Sequence, residues 1–131
     1  MRILLVIFLF AYNLSFSQTQ SEMNQKAYKD YEKADKELNT VYQQILKDYK
    51  RDSKFILKLK EVQKAWIKFR DAEMNALFPE ENKQLEYGSM FPLCWSIELT
   101  KLTKERTKKL KVWLNGIEEG DGCAGSIKNK N

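Results

Sequence analysis

Glu61-Val62-Gln63-Lys64-Ala65-Trp66-Ile67-Lys68-Phe69-Arg70-Asp71-Ala72-Glu73 is the stretch on which the fold turns. Leu59, Val62, Trp66, Phe69 and Leu77 recur at the helical period, so the stretch reads as the middle of a long amphipathic helix. Gln63 and Arg70 lie on or beside that apolar stripe, one turn either side of Trp66. A buried amide left unpaired costs about 1–3 kcal/mol, and a buried charge costs more. Two neighbouring helices therefore have to supply partners.

Upstream, a first long helix is expected from about Ser21 to Tyr49. Its stripe is Met23, Ala27, Tyr31, Ala34, Leu38, Val41 and Ile45. Asp35, Asn39 and Tyr42 form a second row beside it. Asp35 is placed to satisfy an arginine, and Asn39 to bond a neighbouring helix. Arg51-Asp52-Ser53 breaks the pattern, and Asp52 or Ser53 caps a second helix over Lys54 to Leu77. A short turn between two long helices predicts an antiparallel hairpin. Pro79 ends the second helix.

Downstream, residues 79–88 are polar and acidic and read as a surface loop with at most one helical turn. Gly88 permits a positive φ at the re-entry, and Ser89 is placed to cap the next helix. Pro92 makes residues 90–94 irregular, and a third long helix is expected from about Leu93 to Asn115. Leu99, Leu102, Arg106, Leu110 and Trp113 form its stripe, with Thr103 beside it. Gly116 terminates it. The polar, glycine-rich tail reads as loose after Cys123. The fold expected is all-α, an antiparallel bundle of three main helices.

The core-side polar residues Asp35, Asn39, Tyr42, Gln63, Trp66, Arg70, Thr103 and Arg106 suggest one network that fixes helix register, with both arginines sharing Asp35. A catalytic reading fails on several counts. The chain has no histidine, which removes the commonest general base and metal ligand. An aspartate pinned by arginine is a poor base at neutral pH. Asp71 and Glu73, two apart on a helix, point to different sides. No nucleophile elbow or phosphate-cradling glycine loop is present. The reading is a non-enzyme with no cofactor and no metal.

The N-terminus carries Arg2, then an apolar run from Ile3 to Phe10, then small residues at Ser15 and Ser17. This reads as a secretory signal peptide cleaved after Ser17, too short in its apolar part to span a bilayer. The chain then divides into three segments: 1–17 as signal peptide, 18–117 as helical domain, and 118–131 as a polar tail tethered through Cys123. The expected product is soluble, periplasmic or secreted, and not lipid-anchored. Two cysteines in an exported chain suggest a Cys94–Cys123 disulfide. Closing a loop of about thirty residues is worth about 3–4 kcal/mol.

The formal net charge is +5, a spread-out excess without the motifs of nucleic-acid binding. Lys101, Lys104, Lys108 and Lys111 share one face of the third helix. They offer a surface for anionic wall polymers or lipid headgroups.

Several segments together are familiar. They are Glu22-Met23-Asn24-Gln25 with Ala27, Ala34-Asp35 with Glu37-Leu38-Asn39 and Val41-Tyr42, Gln63 with Ala65-Trp66-Ile67 and Arg70-Asp71-Ala72-Glu73, Gly88-Ser89, and Leu102-Thr103 with Arg106-Thr107 and Leu110. In joint spacing, over about residues 22–114, the chain resembles the lysozyme-inhibitor LprI-like domain of small exported bacterial proteins. The resemblance implies a helical export product and, in some members, lysozyme inhibition. Lys26 and Met74 stand where that family usually has cysteine, so its usual disulfides are missing and Cys94–Cys123 becomes a substitute staple. The lipid-anchoring cysteine of the family's named member is absent too. The familiar animal-type lysozymes are strongly cationic, and a basic inhibitor meets like charge. The local complement is the acidic loop. Glu80, Glu81 and Glu86, with Tyr87 and Met90, are therefore the expected partner-binding residues, and a lysozyme or another envelope protein is the expected partner.

Overall fold

No glycine or proline occurs between residues 2 and 48, so nothing in the backbone chemistry interrupts a helix there. The computed structural model describes residues 2–130, with side chains from residue 19. The signal-peptide reading rests on residues 1–17, whose side chains lie outside the described set. Helix α1 runs Arg2–Asp48 without a break at Ser21. Helix α2 is Ser53–Leu77, and α3 is the short Lys83–Tyr87. A 3₁₀ turn, Gly88–Met90, leads into α4, Phe91–Asn115.

The boundaries follow from the residues. Asp52 caps α2, accepting the Phe55 N–H at 2.9 Å. Helix α4 starts earlier than expected because Pro92 falls in its first turn, where a missing N–H costs nothing. Ser89 does not cap it; the residue before α4 is Met90, which makes no side-chain cap bond. Gly116 ends α4 at φ +70, and a Cβ there would stand 2.8 Å from the Lys128 carbonyl oxygen.

Helices α1 and α4 run parallel, and α2 runs back alongside the pair. Ala27 shares a groove with Leu93 and Ile97 near the start of α4, and the Tyr49 hydroxyl donates to the Trp113 carbonyl at the far ends. The close packing is between α1 and α4. It is built from Ala27, Ala34, Leu38, Val41 and Ile45 of α1, and Ser96, Thr103, Thr107 and Leu110 of α4. Small side chains let the backbones approach. Two of the hydroxyls crossing this region are satisfied within α4: Thr107 donates to the Thr103 carbonyl at 2.9 Å, and Thr100 to the Ser96 carbonyl at 2.7 Å.

Helices α1 and α2 run antiparallel across the short turn at residues 49–52, and their side chains share one core cluster. The two backbones hardly approach, and α2 joins the core through large side chains, Phe55, Ile56, Leu59 and Trp66. Its buried row is Leu59, Gln63 and Met74. Val62, Phe69 and Leu77, read as core-facing, are exposed. The apolar stripe is rotated away from the core because the inner row carries Gln63 and the half-buried Trp66 and Arg70.

The disulfide is absent: Cys94 and Cys123 are both free. Cys94 sits in the first turn of α4, whose remaining length to Asn115 spans about 30 Å. The tail does not return along it. Instead it docks at the opposite end, where Trp113 Nε1 donates to Ser126 Oγ at 3.0 Å. Cys123 is three residues away from that anchor, and a disulfide needs Cα atoms within about 7 Å.

Nor is the tail loose after Cys123. Ile117 and Asn129 form a β-bridge, and the Lys128 N–H donates to the Tyr49 hydroxyl at 3.2 Å. The Lys128 ammonium donates to the Asp48 carbonyl at 2.9 Å and lies 4.3 Å from the Tyr49 ring centre.

Candidate functional site

Of the eight residues expected to form one polar network, six fall into three separate pairs, and Tyr42 and Thr103 join none of these among the described residues. Arg106 Nε donates to Gln63 Oε1 at 3.0 Å, joining α4 to α2. Arg70 instead forks onto its sequence neighbour, with Nε and Nη2 at 2.9 and 2.7 Å from Asp71 Oδ1. Its guanidinium lies 5.5 Å from the Trp66 ring centre. Asp35 accepts from Asn39 Nδ2 at 3.1 Å, one turn along α1. Asp35 therefore clamps neither arginine. The adjacent Asp71 reaches Arg70 without crossing to another helix. Tyr31 of α1 feels the charges of two of these pairs: burial raises its phenol pKa, Asp35 raises it further, and Arg70 lowers it. Burial likewise pushes the Tyr42 phenol up and the Arg106 guanidinium down.

Thr103 Oγ1 and Arg106 Nη2 are buried with no hydrogen-bond partner among the described residues. The arrangement holds helices in place. It aligns no nucleophile with a base and an oxyanion donor. Among the described residues, no group of three or more His, Cys, Asp or Glu is placed to hold a metal ion.

The acidic corner between α2 and α4 is built differently. Phe78, Tyr87, Phe91 and Trp95 form an aromatic cluster, with Phe78 centred 5.3 Å from both Tyr87 and Phe91 and 5.8 Å from Trp95. The Glu80 N–H donates to the Tyr87 hydroxyl at 3.3 Å. Asn82 caps α3 by accepting the Leu85 N–H at 3.1 Å. The Lys83 ammonium donates to the Phe78 and Glu80 carbonyls at 2.8 and 2.9 Å. Gly88 turns the chain at φ +68, as its position in the sequence suggests.

On this frame Glu80, Glu81 and Glu86 are exposed, and none has an ion-pair partner among the described residues. Met90 is exposed as well. Tyr87 is half-buried and belongs to the frame. Sequence reasoning passed over Leu85, which is 75% exposed. In a five-residue helix there is no periodicity from which to read a face.

The lysine face of α4 is half engaged. Lys101 pairs with Glu98 at 2.6 Å, and Lys111 pairs with Glu37 at 2.6 Å. Lys104 and Lys108 are exposed and have no ion-pair partner among the described residues.

The family described as Lysozyme inhibitor LprI matches residues 13–110. The chain belongs to the LprI family. A relative is an uncharacterized protein, R02472, of Rhizobium meliloti (strain 1021). It is 31% identical over 111 residues, covering 76% of this chain and 77% of that protein. No solved structure matches. The LprI match covers α1 from residue 13, α2, the acidic corner and α4 as far as Leu110, and stops short of the tail that straps the far end. Among the described residues, no helix is long and apolar enough to cross a membrane.

Proposed function

We propose that this protein is an exported, non-enzymatic inhibitor that binds a lysozyme through the corner carrying Glu80, Glu81, Glu86 and Met90, with Tyr87 bracing it. Residues 1–17 act as the leader, 18–117 as the binding domain and 118–131 as its closing strap. Family membership supports the target class. The observation that carries the choice of surface is the set of three exposed carboxylates without ion-pair partners on a braced corner. The one lysine among them spends its charge on backbone carbonyls. A chain of net charge +5 thereby presents a local anionic surface to a cationic enzyme, which steers encounter. Purified protein added to a cell-wall lysis assay tests this. Slowing that is lost in the Glu80→Gln/Glu81→Gln/Glu86→Gln variant supports the reading. No slowing at micromolar excess over several lysozyme types overturns it.

An alternative is a binding module for anionic wall polymers or lipids, favoured by Lys104 and Lys108, which have no ion-pair partner among the described residues. Lys101 and Lys111 are already neutralised locally, which leaves this face less charge than its sequence suggests. Such binding to isolated cell walls is released by rising salt.

A further inference from the structure

Val62, Ala65, Phe69, Ala72 and Ala76 succeed one another at steps of three, four, three and four along α2. That is the spacing of a coiled-coil seam, and all five are exposed. Phe69 is 55% and Val62 45% exposed. The bundle buries a different row of α2, so among the described residues this seam is left exposed. We propose that the seam is a self-association surface on which a second copy of this chain packs its own α2 in parallel.

Charge selects both the occupant and the direction. With Val62, Phe69 and Ala76 as the first apolar position of each heptad, Lys68 and Glu73 flank the seam on opposite sides. They are five residues apart, which is the spacing of interhelical ion pairs in a parallel dimer. Both are exposed and have no ion-pair partner within the chain among the described residues. Two-fold symmetry makes each contact twice, Lys68 of one copy to Glu73 of the other. The antiparallel register that sets each Phe69 against the other copy's Ala65 brings Lys68 onto its own symmetry mate, a like-charge contact. The alanines at the intervening positions let the helices approach closely.

Analytical ultracentrifugation of the purified protein over a range of concentrations tests this, with circular dichroism reporting folding. The wild type forms dimers reversibly as concentration rises. Phe69→Glu stays helical and monomeric. Lys68→Glu weakens dimerisation about tenfold or more, and Lys68→Glu/Glu73→Lys, which restores opposite charges, recovers it. A wild type that stays monomeric at several hundred micromolar overturns the proposal. So does a Phe69→Glu variant that still dimerises, or a charge swap that fails to restore association.

Discussion

Helices α1 and α2 carry apolar residues at the same spacing, yet α1 buries most of its stripe and α2 only Leu59 and part of Trp66. In α1, Ala34, Leu38, Val41 and Ile45 all lie in the core. In α2 the apolar row Val62 and Phe69 faces out, and the buried row holds Gln63 between Leu59 and Met74. The difference lies in what each helix meets. Across from α1, α4 presents Ser96, Thr103 and Thr107, so the backbones close up. Across from α2 stands Arg106, which reaches to Gln63, and α2 is held by long side chains without close backbone approach. Spacing says that a helix has an apolar face, and the size and polarity of the facing residues decide whether that face is used.

Substitutions in the two regions sharpen this contrast. Ile45 and Leu110 are fully buried in the α1–α4 region. Ile45→Ala or Leu110→Ala should each cost about 2–5 kcal/mol in denaturant unfolding. Gln63→Ala removes the partner of Arg106 Nε and should cost about 1–3 kcal/mol. If that cost matched Ile45→Ala, the α2 contact would be as central as the core. At the small end, Val62→Ala should stay within about 0.5 kcal/mol for the monomer, as for an exposed position. A loss of core size there would mean that the seam is buried in solution.

A pH titration probes the α1 row that faces α2. Burial raises the folded phenol pKa of Tyr31 and Tyr42 above 10.0. The folded state therefore holds those protons more tightly than the unfolded chain. Their contribution is full below the ordinary phenol value and is lost as pH climbs through the raised folded values. Tyr42→Phe should flatten part of that alkaline loss, measured by unfolding at successive pH values. An unchanged slope would place the Tyr42 phenol in water.

Much of the fold was legible in the residues. The break near residues 51–53, the Asp52 cap, the stop before Pro79 and the turn at Gly116 all rest on local chemistry, which sequence shows directly. The buried stripe of α1 was readable because most of its apolar residues fall in a single row. In α2 two adjacent rows compete, and the choice between them is made by α4. Gln63 and Arg106 were each legible as core-side polar residues needing partners, but Asp35 was the partner expected for Arg106, and Gln63 was not singled out. Asp35 was misassigned because Asp71, next in sequence to Arg70, was a nearer acceptor. The Cys94–Cys123 staple failed on distance, which an even cysteine count does not contain. The tail was read as loose from its glycines, while its anchors are single residues, Ser126 and Lys128, without a pattern. Glu80, Glu81 and Glu86 were visible as charge, and Leu85 between Gln84 and Glu86 was not.

Native-state hydrogen exchange resolves the contrast between the two regions most directly, residue by residue. Amides of residues 38–45 and 103–110 should exchange slowest, through global unfolding. Those of residues 62–72 should exchange faster, through an opening that leaves α1 and α4 together. Protection across α2 equal to that of α1 and α4 would contradict the account.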